Sequence, residues 1–207
     1  MSKKKIAIQG ELGAYSHIAA ENLFKGSEIK TCATFEETFK QASMDPNCKI
    51  VIPIENSLAG RVADIHYLLP KYKLQIHGEH FQAVEHNLLC KKDAKIEDIK
   101  FVRSHAQAIG QCQNLINKRK FKPIISADTA GSAKDLAEGK DKSIAAIASE
   151  LSAKIYNLKI LEKNIEDEKG NVTRFLVMGK NIEQPEFSID KQFITSCIFR
   201  VKSEPSA

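Results

Sequence analysis

Short, wholly apolar runs recur along this chain, and each is followed by a stretch with helical spacing. Ile6-Ala7-Ile8, Ile50-Val51-Ile52 and Ile144-Ala145-Ala146-Ile147 carry no polar residue, so a strand built from any of them must be covered on both faces. Alternation of such strands with helices predicts an α/β fold with mostly parallel sheets flanked by helices. The turn Gly10-Glu11-Leu12-Gly13 leads from the first strand into a helix over about 16–24, and 30–33 supplies the next strand. Thr34 and Glu37 form a capping box at the start of the second helix. A helix over about 61–69 carries Val62, Ile65, Leu68 and Leu69 on one face and is expected to stop at Pro70.

Residues 74–89 read as one extended segment or a hairpin crossing between two lobes. Helices over about 106–117, 130–138 and 150–156 then alternate with strands at 101–102, 124–125 and 144–147, and 172–178 returns as a strand. The expected architecture is two lobes, one from about 1–78 plus 172–180 and the other from about 79–171. A cleft between them would lie at the carboxyl ends of the strands, where open α/β sheets bind ligands. Residues 181–190, with Pro185 and several charges, read as a linker.

The net charge of +5 and the run Lys118-Arg119-Lys120-Phe121-Lys122 raise nucleic-acid binding as a possibility. The lysines are interleaved with acids and no nucleic-acid motif accompanies them, so a solvated surface, or a small anionic ligand, is the better reading. Cys32, Cys48, Cys90, Cys112 and Cys197 are odd in number and include no Cys-x-x-Cys pair, which suits free thiols rather than a disulfide framework or a zinc site. The basic start is followed by only Ile6-Ala7-Ile8, too short for a signal peptide or a spanning helix, so a cytoplasmic location is expected. On that expectation the glycosylation-like Asn171-Val172-Thr173 is accidental.

Standard chemical motifs are mostly missing. Gly10-x-x-Gly13 lacks the glycines of a dinucleotide loop. His66, His77, His80 and His86 have no standard metal spacing and read as core or surface residues. More informative are three apolar strands that end in small polar residues just before a helix: Ile54-Glu55-Asn56-Ser57, Arg103-Ser104-His105-Ala106-Gln107 and Ser126-Ala127-Asp128-Thr129. Ser57, Ser104 and Asp128 or Thr129 suit helix caps, and helix starts also receive carboxylates. Asn56 and Gln107 are long for caps, and their amides both donate and accept.

These junctions belong to an ordered set. Gly13-Ala14-Tyr15-Ser16, Pro53-Ile54-Glu55-Asn56-Ser57 with Gly60, Ser104-His105-Ala106-Gln107-Ala108, Ala145-Ala146-Ile147-Ala148 and Asn171-Val172-Thr173-Arg174-Phe175 resemble successive motifs of the prephenate dehydratase family. The resemblance covers nearly all of residues 5–180. It implies a catalytic domain over 1–180 with its active site between the lobes, an arrangement similar to type II periplasmic binding proteins. It also implies decarboxylating dehydration of prephenate to phenylpyruvate in phenylalanine biosynthesis, with no cofactor and no metal. Thr173 would donate a hydrogen bond to the leaving hydroxyl. Asn56, Ser104 and Gln107 would bind substrate, with Ser57 and Thr129 as weaker candidates. Arg174 could grip a carboxylate, although alternation along its strand turns it away from Thr173 and Phe175. Phe175 would wall the ring pocket or pack the core.

Two departures accompany the resemblance. The family carries proline at the position of Ala106 and often at that of Glu11, and Glu11 would place an acid near the cleft. Residues 193–201 are similar to the first strand of a regulatory ACT domain, after which the chain stops. That truncation implies no inhibition by phenylalanine, and a tail either disordered or borrowed by a partner chain. It also implies a homodimer weakened by loss of the ACT domain, or a monomer. No chorismate mutase bundle precedes residue 5, so a bifunctional enzyme is not expected. Arogenate as substrate, and a non-catalytic two-lobed binding module, stand as alternatives.

Overall fold

A computed structural model describes residues 4–181, 188–190 and 192. Most of 181–190 and the ACT-like strand at 193–201 lie outside the described residues. The first lobe runs β1 (Lys5–Gln9), α1 (Tyr15–Leu23), β2 (Glu28–Cys32), α2 (Phe35–Met44), β3 (Cys48–Asn56), β4 (Gly60–Arg61), α3 (Ala63–Tyr72) and β5 (Gln75–Ala83). The second runs β6 (Asn87–Cys90), β7 (Phe101–His105), α4 (Ala106–Gly110), α5 (Gln113–Arg119), β8 (Lys122–Ser126), α6 (Thr129–Glu138), β9 (Ile144–Ala148), α7 (Glu150–Ile155) and β10 (Lys159–Glu162). The chain then returns to the first lobe as β11 (Val172–Gly179).

The first sheet has the order β2-β1-β3-β11-β5, with β4 hydrogen-bonded to β3, and the second has the order β10-β6-β9-β7-β8. Both are mixed. β1 is parallel to β2 and β3, and β7 to β8 and β9, whereas β11 runs antiparallel to β3 and β5, and β6 antiparallel to β9 and β10. The sheets are thus less parallel than the apolar runs suggest, because both crossings between lobes enter as reversed strands.

Each sheet is covered on both faces, as strands without polar residues require. Ile50 and Ile52 pack with Phe39, Ala42, Ile65 and Leu68 of α2 and α3, while Ile6, Ile8 and Val51 pack on Ala19 and Ala20 of α1. In the second lobe Ala145 and Ile147 pack against α4 and α5, and Ala146 and Ala148 against α6 and α7. Burying each of the isoleucine, leucine, valine and phenylalanine side chains contributes about 1.5–3 kcal/mol.

Three boundaries differ from expectation. β5 belongs wholly to the first sheet, so the crossing falls at Val84–His86 rather than near 78, and β6 is a separate strand rather than the second half of a hairpin. Pro70 lies inside α3, which continues to Tyr72 and ends at Lys73 with φ 48°. Lacking an N–H, Pro70 deprives His66 O of its intrahelical donor, and α3 ends within three residues of it. The helix expected over 106–117 is broken at Gln111–Cys112. There the Asp167 amide donates to Gln111 O (2.7 Å) and the Asp167 carboxylate accepts the Asn114 amide (3.0 Å), so a distant loop caps the restart.

Candidate active site

The carboxyl ends of β1, β3 and β7, the turn after β8 and the start of β11 converge on one cleft between the lobes. It encloses about 500 Å³ and is lined by, among others, Gln9, Asn56, His105, Gln107, Ala127, Thr129 and Thr173. That volume suits a small organic molecule.

Register brings the central group together. Thr173 on β11 stands opposite Asn56 on β3. The Asn56 Nδ2 donates to Thr173 Oγ1 (2.9 Å) and to Asn171 Oδ1 (2.7 Å), while its Oδ1 accepts the amides of Leu58 (3.0 Å) and Ala59 (2.8 Å). The Asn56 amide is therefore fully committed within the protein. It orients Thr173 and shapes the turn into β4. Thr173 Oγ1 accepts that bond, and its own hydrogen has no acceptor among the described residues. Thr173 as a whole is only 9% exposed but lines the cleft, so its hydroxyl hydrogen is available to a bound molecule.

The network continues across the lobes. Asn171 Nδ2 donates to Gln111 Oε1 (2.9 Å), which also lies 2.9 Å from His86 Nε2. A carbonyl oxygen only accepts, so His86 carries its hydrogen on Nε2 and leaves Nδ1 as an acceptor. The Tyr15 hydroxyl lies 3.0 Å from that Nδ1 and 2.6 Å from Glu85 O, with the two rings edge-to-face. Burial lowers the His86 pKa against a smaller opposing pull from Gln111, which keeps the ring neutral. Burial, followed by the nearby Glu166 carboxylate, holds the Tyr15 phenol well above its usual range, so Tyr15 stays a hydroxyl donor.

The eight residues singled out in the sequence separate into two sets. Asn56, Gln107, Thr129 and Thr173 line the cleft. Gln107 and Thr129 make no side-chain hydrogen bond among the described residues and are free to contact a ligand, while neighbouring Asp128 caps α6 by accepting the Gly131 amide (2.6 Å).

Ser57, Ser104, Arg174 and Phe175 are not among the lining residues. Ser57 Oγ accepts the Val172 amide (3.0 Å) and donates to Gly170 O, extending the β3–β11 ladder. Arg174 lies on the opposite face of β11 from Thr173. Its Nη2 meets Glu79 Oε2 at 2.6 Å and its guanidinium sits over Phe81, so it braces β11 against β5. Phe175 packs among Ile6, Ile8 and Val51 in the core. Glu11 pairs with Lys134 of the other lobe (3.1 Å) instead of facing the cleft.

Ser104 is fully buried, and its Oγ donates to Ile147 O (2.7 Å), fastening β7 to β9. Ser104→Ala leaves that buried carbonyl without its partner and is expected to destabilise the protein by about 1–3 kcal/mol in urea unfolding. Unchanged stability would mean that the bond contributes nothing to the lobe.

Tyr15, His86, Gln111 and Asn171 do not stand out in the sequence as site residues. Tyr15 and Asn171 sit inside motifs that mark a family without showing which side chains act, and His86 resembles the unrelated histidines before it. Gln111 lies in the break that splits the expected helix. No group of three or more His, Cys, Asp or Glu positioned to hold a metal occurs among the described residues. No helix among them is long and apolar enough to cross a membrane.

Residues 6–183 match the family described as prephenate dehydratase. The chain is 39% identical over 204 residues to arogenate dehydratase 2 of Petunia hybrida, covering 99% of this chain and 51% of that protein. It is 38% identical over 206 residues to a bifunctional N-acyl-homoserine lactone acylase/prephenate dehydratase of Komagataeibacter europaeus, covering 98% of this chain and 72% of that one. The solved prephenate dehydratase of Staphylococcus aureus subsp. aureus Mu50 superposes with a TM-score of 0.74 at 28% identity, over 86% of this chain and 67% of that one. The chain spans about half the length of the plant relatives it matches.

Proposed function

The chain belongs to the prephenate dehydratase family, and from that premise we propose that it is a carbon–oxygen lyase converting prephenate to phenylpyruvate, carbon dioxide and water. The two-lobed unit of residues 1–180 is the catalytic domain in this reading. The observation that supports it most is the Thr173 hydroxyl, fixed by Asn56 with its hydrogen uncommitted at the wall of the cleft.

The chemistry asks little of the protein. The bond from the ring to its carboxylate breaks, and its electron pair enters the ring as carbon dioxide leaves. The ring becomes aromatic as the bond to the opposite hydroxyl breaks, and that oxygen leaves with one added proton as water. No redox step occurs, and no base removes a carbon-bound proton. What remains is to hold a dianion in the reactive pose and to stabilise charge on the departing oxygen. A threonine hydroxyl is a weak acid, so Thr173 acts as an oriented hydrogen-bond donor, and the departing water takes its proton from solvent. Gln107 and Thr129 are the free polar side chains placed to contact substrate. Asn56, Asn171 and Gln111 position Thr173, and Ser57, Ser104 and Arg174 hold the strands that carry it.

The experiment is to incubate the purified protein with prephenate near neutral pH and follow phenylpyruvate. Turnover well above the spontaneous rate is expected, and no acceleration would sink the assignment. A relative at 39% identity is named an arogenate dehydratase, so arogenate, with phenylalanine as product, is the second substrate to assay. Faster turnover of arogenate would reassign the substrate and leave the reaction type intact.

A further inference from the structure

We propose that Arg61 is the carboxylate anchor of the cleft, gripping one of the two carboxylates of a dianionic substrate. This rests on the prephenate reading, which requires a dianion to be held. The arginine expected in that role from the sequence, Arg174, is spent on Glu79 on the far face of β11. Arg103 and Arg119 are likewise paired, with Asp135 and Glu162. Arg61 makes no ion pair within 4.0 Å among the described residues, although Glu55 stands opposite it in the β3–β4 register.

Among the described residues Arg61 is also the only lysine or arginine lining the cleft, and Asp128 the only acid. His86 is held neutral by burial, and His105 Nδ1 faces the Gln107 amide at 3.3 Å. Without Arg61 the cleft would offer a dianion one carboxylate and no permanent positive charge. An arginine supplies both the charge and a planar fork that matches a carboxylate.

Its placement is built rather than incidental. Arg61 follows the turn that Asn56 Oδ1 organises by accepting the Leu58 and Ala59 amides, Gly60 takes φ +80°, and the Val62 amide donates to Ile54 O (3.0 Å). One asparagine thus sets both the donor Thr173 and the rim strand that carries the cation. Arg61 is itself exposed, so it binds an anion without first breaking a pair to any described residue.

Steady-state kinetics on wild type, Arg61→Gln and Arg61→Lys test this. Loss of a charged hydrogen bond predicts a rise in KM of about 30-fold in Arg61→Gln, with kcat within about threefold, and an intermediate KM in Arg61→Lys. Wild-type kcat/KM should fall with added salt, and that dependence should flatten in Arg61→Gln. Because the side chain has no ion-pair partner among the described residues, the melting temperature should not change. A KM in Arg61→Gln equal to that of wild type would overturn the anchor.

Calorimetric titration with phenylsuccinate, a dianion, and 3-phenylpropionate, its monoanionic counterpart, separates the anchor from the reaction. Wild type is expected to prefer the dianion at least about tenfold, and Arg61→Gln to lose that preference. Wild type that fails to turn over prephenate yet shows this pattern would sink the catalytic reading and keep the anchor. A preference unchanged in Arg61→Gln, or no binding of either acid by wild type, would overturn the anchor.

Discussion

Thr173→Val is expected to lower kcat for prephenate by about 10²–10³-fold while leaving KM within about threefold, the size of effect seen when one preorganised donor to a developing negative charge is removed. Valine keeps the β-branched shape on β11 and replaces only the hydroxyl by a methyl, so strand register is preserved. In the proposed reading the donor acts where charge grows on the departing oxygen. Its loss therefore falls on the transition state and hardly on substrate binding. Thr173→Ser restores the hydroxyl next to Asn56 and is expected to return most of the rate. The Asn56 amide loses one acceptor in the valine variant but keeps Asn171 Oδ1 at 2.7 Å. The cost in stability is then about 1–2 kcal/mol, and the variant remains folded at assay temperature. Full activity in Thr173→Val would remove Thr173 from the mechanism while leaving the family assignment in place.

The fold was legible because burial leaves a periodic trace. Ile50-Val51-Ile52 and Ile144-Ala145-Ala146-Ile147 sit at sheet centres covered on both faces, and the absence of polar residues reports that directly. The start of α2 was legible for a local reason: the Glu37 amide donates to Thr34 Oγ1 (3.1 Å), and the Glu37 carboxylate reaches back to the Ala33 amide (2.9 Å). The break at Gln111 was not. Ala108, Ile109, Cys112, Leu115 and Ile116 all face the same core, so helical spacing runs straight through it. The cause of the break is Asp167, whose position no local pattern encodes.

The site was legible in its addresses and illegible in its directions. All three strand-to-helix junctions do border the cleft, but which side chain faces inward depends on register. Asn56 and Ser104 look alike in sequence, each a polar residue ending an apolar strand. Asn56 meets Thr173 across β3–β11, and Ser104 turns inward to Ile147 O. A one-residue slip exchanges such outcomes. A register shift between Arg174 and Phe175 lies beside the key pair, yet Arg174 stays on the face opposite Thr173 because its β5 neighbours Glu79 and Phe81 hold it there. The Tyr15–His86–Gln111–Asn171 network joins residues from both lobes, and only the packed structure relates them.

Gly13→Ala is expected to be among the most destabilising single substitutions, costing about 4 kcal/mol. Gly13 ends the loop by which the first lobe docks on the start of α7 in the second. Its carbonyl accepts both Ser149 Oγ (2.6 Å) and Ser152 Oγ (3.1 Å), the Tyr156 hydroxyl donates to Leu12 O (2.9 Å), and Glu11 meets Lys134 (3.1 Å). Two constraints then exclude a side chain. The residue has φ +93°, where a Cβ costs about 1–2 kcal/mol. That Cβ would also lie 2.5 Å from Ser152 Oγ and 2.8 Å from Ser152 Cα, and the second clash is with backbone that no rotamer change relieves. The loop must lift, giving up hydrogen bonds of about 1 kcal/mol each. Since Tyr15 follows two residues later, the same displacement should pull its hydroxyl from His86 and lower kcat/KM for prephenate. Urea unfolding measures the stability, and Ser152→Gly supplies the control. Removing the Ser152 side chain deletes the nearest obstacle but leaves the clash with its backbone, so the double variant should be destabilised by less than the sum of the two single variants. A cost below about 1 kcal/mol for Gly13→Ala would mean that this loop does not bind the lobes together as its hydrogen bonds imply.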